Sequence, residues 1–141
     1  RNAAENMVPT TTGAAIAVTK TLPQLIGKFD GLSVRVPTPV VSLSDVTALL
    51  RRDVTVEQVN GAFKKAAQSN FYQGILGVSE EPLVSRDFIG NSCSGIVDLP
   101  LTKVVDGNLI KVMVWYDNEW GYSNRLVELV ADVGHYLSRS E

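Results

Sequence analysis

Thr12 and Gly13 stand directly ahead of the alanine-rich run Ala14-Ala15-Ile16-Ala17-Val18. A helix start there offers free main-chain N–H groups and the positive end of the helix dipole, and the Thr12 hydroxyl adds a donor. That set of groups suits an anion; the plainer reading is an ordinary helix cap. Arg35 lies in Leu32-Ser33-Val34-Arg35-Val36, opposite the apolar positions and just before Pro37. A guanidinium so placed can grip a phosphate with two parallel hydrogen bonds; the plainer reading is a solvated charge on a strand. Asp117-Asn118-Glu119-Trp120-Gly121-Tyr122 is a polar, aromatic turn between an apolar run and a helical pattern. An asparagine amide carries donor and acceptor side by side, which suits recognition of another carboxamide. Helix capping is its alternative use.

The remaining reactive side chains make no catalytic set. Cys93 is the one cysteine and His135 the one histidine, so neither an internal disulfide nor a Cys/His metal site can form within these residues. Cys93 falls in a serine-rich, strand-like stretch with no histidine near it, the setting of an inert thiol. His135 sits near the end of the last helical pattern, where a cation complements the dipole. No residue is assigned as catalytic or as a metal ligand.

Several elements must position these groups. Leu32, Val34 and Val36 alternate with polar residues, the pattern of a half-buried strand stopped by Pro37 and Pro39. Residues 40–50 are rich in β-branched side chains and predict a second strand. Thr55 followed three residues later by Gln58 forms a capping-box signal, and Val59, Phe63 and Ala66 continue it as an amphipathic helix. Residues 74–78 and 83–85 read as short strands. Asp106-Gly107 between residues 102–105 and 109–116 predicts a tight hairpin. The second arm, Leu109-Ile110-Lys111-Val112-Met113-Val114-Trp115-Tyr116, is apolar at nearly every position and must be covered on both faces, one by helices and the other by a second sheet or subunit. Leu126, Val130, Val133 and Leu137 mark a C-terminal amphipathic helix. The expected class is α+β, with a mixed, largely antiparallel sheet and helices on one face.

Composition narrows the partners. The chain is 45% hydrophobic and 20% charged with a formal net charge of −2, ordinary values for a folded domain. Thirteen Lys/Arg against fifteen Asp/Glu give no basic excess for nucleic acid. No apolar stretch approaches the roughly 20 residues of a membrane-spanning helix. A lone cysteine suits a reducing, cytoplasmic setting. The start Arg1-Asn2-Ala3-Ala4-Glu5-Asn6 has no signal-peptide character and no initiator methionine, as expected of a piece of a longer chain.

Taken together, Arg1 to Ala15 with its Asn6-Met7-Val8-Pro9-Thr10-Thr11-Thr12-Gly13 core, Arg35-Val36-Pro37-Thr38-Pro39, Gly74-Ile75-Leu76-Gly77, Glu80-Glu81-Pro82-Leu83-Val84-Ser85 and Trp115-Tyr116-Asp117-Asn118-Glu119-Trp120-Gly121-Tyr122-Ser123 resemble the C-terminal part of phosphorylating glyceraldehyde-3-phosphate dehydrogenases, in family order and across essentially the whole chain. Ile16, where the family usually has lysine, and Val40, where it usually has asparagine, are departures at positions that are not phosphate ligands in the family.

The resemblance implies part of an NAD-dependent oxidoreductase that converts glyceraldehyde 3-phosphate and inorganic phosphate to 1,3-bisphosphoglycerate in glycolysis. It implies that Thr12 and Gly13 bind the attacking phosphate and Arg35 the substrate phosphate, while Asn118 and Tyr122 contact the nicotinamide of NAD. It also implies a homotetramer, with residues 1–122 belonging to the catalytic domain and residues 123–141 to a helix that packs on the dinucleotide-binding domain. The family's nucleophilic cysteine motif, catalytic histidine and glycine-rich nucleotide-binding pattern are absent from these residues, so the chain by itself is expected to be inactive. Two alternatives stay open: a relative acting on erythrose 4-phosphate, and a catalytically inert assembly domain.

Overall fold

In the computed structural model, which describes residues 2–139, the chain divides between Pro39 and Val40 into two units. The first holds strand β1 (Val8–Thr11), helix α1 (Ala14–Thr21) and strand β2 (Leu32–Arg35). β1 and β2 pair antiparallel, with Thr11 opposite Leu32 and Val8 opposite Arg35. Pro23 opens a 3-10 turn after α1, where its missing N–H costs nothing. The alternation in β2 does form a strand, but its apolar side is not half-buried as expected: Leu32 is 70% exposed, and Val34 and Val36 are about half exposed. A ladder of two strands has no second layer in this unit to cover that side.

The second unit holds strand β3 (Ser42–Leu49), helix α2 (Val56–Ala67), strands β4 (Leu76–Ser79), β5 (Gly95–Val105) and β6 (Leu109–Tyr116), and helix α3 (Trp120–Ser138). Its sheet runs β3-β6-β5-β4. β3 and β5 lie antiparallel to β6, and β4 lies parallel to β5. The architecture is therefore α+β, with the mixed, largely antiparallel sheet that the pattern predicted.

Local signals account for most of the elements. The Thr55 hydroxyl accepts from Gln58 N–H at 3.3 Å and the Gln58 side chain accepts from Thr55 N–H at 3.0 Å, which closes the capping box of α2. Asp106 and Gly107 both take positive φ, 49° and 76°, the signature of the tight turn that joins two twisted strands. α2 lays Val59 and Phe63 on Val97, Leu99 and Val112 of the sheet. On the opposite face Val41, Phe88 and Ile96 cluster with Trp115. The rings of Phe88 and Trp115 stack with centroids 5.3 Å apart.

Three expectations need correction. Residues 83–85 form no strand; Ser85–Phe88 is a 3-10 turn that delivers Phe88 to the second face. Cys93 is not in a strand but in the connection before β5. β5 runs to eleven residues, far longer than the segment 102–105 read from sequence. Pro100, which normally argues against a strand, is accommodated because the β5–β6 register shifts between Asp98 and Lys103, where a missing ladder donor does no harm. The second face of β6 is covered at its Trp115 end by this turn, whereas Leu49, Val105 and Leu109 at its other end stay exposed.

Candidate functional site

The first unit carries the anion-binding candidates. Thr12 is half-buried, and its Oγ1 accepts from the N–H of Ala14 at 3.1 Å, so the hydroxyl caps α1 while its own hydrogen remains to donate. Gly13 has φ −77° and ψ −6°, angles any residue can adopt, and a Cβ built there would meet nothing within 4 Å. Neither backbone strain nor crowding within its own unit demands a glycine. What the missing side chain does provide is open access to the main-chain N–H groups at the helix start. Arg35 closes β2 opposite Val8, three residues along the ladder from the Leu32–Thr11 pair, or about 10 Å at strand spacing. It is exposed, and among the described residues no ion pair holds it. Thr12 and Gly13 thus form one group, and Arg35 stands at the other end of the same two-stranded ladder.

The second unit carries the turn between β6 and α3. Asp117 is buried, 4% exposed, and its carboxylate accepts main-chain N–H groups from Trp120 at 2.8 Å, Gly90 at 2.9 Å and Glu119 at 3.1 Å. The N–H of Trp120 does most to hold this carboxyl below the usual aspartate range; those of Gly90 and Glu119 add to it against the opposing pull of burial. Asp117 therefore performs the capping that the sequence left as an alternative for Asn118. Released from that duty, Asn118 is exposed, and its Oδ1 accepts from the Ser42 hydroxyl at 3.3 Å. Tyr122 follows in the first turn of α3, also exposed.

Asp117 and Ser42 are the residues that sequence reasoning missed. An aspartate three positions before a helical residue is a recognisable capping signal. Ser42 lies 76 residues from Asn118, and only the β3–β6 pairing, which sets Ser42 opposite Tyr116, brings it to the turn. Gly121 is forced by a close approach: a Cβ there would lie 2.9 Å from the Cys93 carbonyl oxygen. Burial pushes the Cys93 thiol above its ordinary pKa, with Arg125 offsetting only part of the effect, as befits an inert side chain. His135 sits in the last turn of α3. Among the described residues no cluster could hold a metal ion, and no helix is long and apolar enough to cross a membrane.

The class that the fold defines is an α+β protein with an open, mixed sheet. Residues 1–118 match the family model described as glyceraldehyde 3-phosphate dehydrogenase, C-terminal domain, and the chain belongs to that family. It is 52% identical over 137 residues to glyceraldehyde-3-phosphate dehydrogenase 2 of Streptomyces avermitilis, covering 97% of this chain and 41% of that protein. Over 131 residues it is 57% identical to glyceraldehyde-3-phosphate dehydrogenase 1 of Bacillus cereus and 55% identical to the Geobacillus stearothermophilus enzyme, each time covering 93% of this chain and 39% of the relative. The chain thus spans about two fifths of the length of the curated relatives it matches.

Proposed function

We propose that this chain supplies the phosphate-binding and nicotinamide-contacting residues of an NAD-dependent phosphorylating glyceraldehyde-3-phosphate dehydrogenase of glycolysis. The observation that carries the reading is Gly13, a glycine that its own unit does not require, set behind a threonine hydroxyl at a helix start. Thr12 and Gly13 receive the attacking inorganic phosphate through hydroxyl and main-chain donors. Arg35 holds the phosphate of the aldehyde substrate through its unpaired guanidinium. Asn118 meets the nicotinamide carboxamide with its exposed amide, and Tyr122 flanks the ring. The cofactor when bound supplies the hydride acceptor. The bond-making and proton-transfer groups of the reaction fall outside these residues, since Cys93 and His135 have neither each other nor the surroundings to act as nucleophile and base. A homotetramer and a cytoplasmic setting belong to the same proposal, supported by the bare apolar side chains on the sheet and α3 and by the single free thiol.

The test is Arg35 in the complete enzyme. Arg35→Ala should weaken binding of the phosphorylated aldehyde by about 1.5–3 kcal/mol, the scale of a hydrogen bond to a charged group. Arg35→Lys should recover only part of that, because an ammonium cannot reproduce the planar fork. Unchanged kinetics with the phosphorylated aldehyde in the alanine variant would overturn the assignment.

A further inference from the structure

An exposed asparagine recognises a second carboxamide more tightly when its amide is held at a fixed place, since a freely turning side chain loses rotamer entropy on every binding event. Three features of the second unit hold Asn118. Asp117 takes the capping donors Glu119 N–H and Trp120 N–H, so the Asn118 side chain is not drawn back onto the helix start. The same carboxylate takes Gly90 N–H, tying the turn to the connection that follows the Ser85–Phe88 turn. Ser42 then donates its hydroxyl hydrogen to Asn118 Oδ1, which leaves that oxygen a lone pair and Nδ2 both its hydrogens for a ligand. Ser42 is itself placed by an unusual backbone: Val41, immediately before it, has φ 74°, a costly conformation for a β-branched residue, and is kept there by burial against Phe88 and Ile96.

We propose that Ser42 is a positioning residue for nicotinamide recognition, acting through Asn118 rather than by touching the cofactor. This rests on the reading of Asn118 as the nicotinamide contact, and the experiment separates the two.

Side-chain amide relaxation by NMR on the 141-residue chain, and NAD kinetics in the complete enzyme, are measured for Ser42→Ala, Ser42→Thr and Asn118→Ala. Ser42→Ala should increase the mobility of the Asn118 amide while the main-chain amides of β3 and β6 away from residue 42 and its Tyr116 partner keep their shifts. It should raise KM for NAD about two- to tenfold, the scale of one neutral hydrogen bond, with KM for the aldehyde unchanged. Ser42→Thr, which keeps the hydroxyl, should restore both. An Asn118 amide as ordered in Ser42→Ala as in the parent overturns the proposal. A KM for NAD that rises in Asn118→Ala but not in Ser42→Ala also overturns it and leaves the Asn118 assignment standing. A KM for NAD unchanged in Asn118→Ala brings down that assignment, and the proposal with it.

Discussion

At the scale of single residues, Gly13 and Asn118 are candidate site residues that their own units do not need for structure. Gly13 is the plainest case. Its helical angles and the open space over its Cα mean that Gly13→Ala should leave thermal stability unchanged or raise it by about 0.4–1 kcal/mol, through a less flexible unfolded chain. In the complete enzyme the same methyl should obstruct the helix start and raise KM for inorganic phosphate. A variant that binds phosphate normally would make Gly13 an ordinary helix residue. Asp117 gives a pH prediction. Its folded pKa is depressed by main-chain N–H donors, Trp120 foremost, so its contribution is fully present above the unfolded aspartate value of about 3.9 and is lost as pH falls through the lower folded value. Asp117→Asn sets an NH2 against a main-chain donor and should lower the urea midpoint at pH 7. That deficit should shrink as pH falls below about 4, because the parent carboxyl then protonates too. A deficit independent of pH between 7 and 2 would mean the charge plays no part.

At the scale of elements, legibility follows how local the cause is. The capping box at Thr55 and Gln58, the Asp106-Gly107 turn and the amphipathic pattern of α2 are each written within a few neighbouring residues, and the structure forms all of them. β5 was only partly readable, because its acceptance of Pro100 depends on a register shift against β6 that no local pattern encodes. Residues 83–85 carry β-forming side chains, yet Phe88 must reach the Trp115 ring, and the 3-10 turn that brings it there wins over local propensity. The candidate site shows the same division. Thr12, Gly13, Arg35 and Asn118 were visible as residue types in suggestive places, and the family resemblance gave them roles. The cap by Asp117 is a local signal, whereas the Ser42–Asn118 bond depends on the β3–β6 register. The local signals can be tested directly. Thr55→Ala removes the acceptor for Gln58 N–H and should cost about 0.5–2 kcal/mol in urea unfolding, with no change in the denaturant slope. A loss below that range would show α2 to be held by its packing on Val97 and Val112 alone.

At the scale of the whole molecule, α3 sets the clearest expectation. Its start is fastened: Asp117 caps it, Gly121 lies against the Cys93 carbonyl, and Arg125 donates to the Gly74 carbonyl at 3.1 Å. Beyond Arg125 the apolar stripe foreseen in the sequence is present but bare, with Leu126, Val130, Val133 and Leu137 all about half exposed or more. Fully burying a leucine or valine is worth about 1.5–3 kcal/mol, so the stripe carries a large unmet drive toward apolar cover. Without such cover, a helical stretch of this length is near the limit of about 12–15 residues below which helices in water are marginal. The two parts of α3 should therefore exchange their amide hydrogens differently. Residues 121–125 should be protected at every protein concentration. Residues 126–138 should exchange quickly in dilute solution and become protected as concentration rises, because a second copy offers the same stripe as cover. Sedimentation should show self-association over the same concentration range. Slow exchange of residues 126–138 that does not change with concentration would mean the stripe finds its cover within one copy of the chain, and the expectation that this face meets a partner would fall.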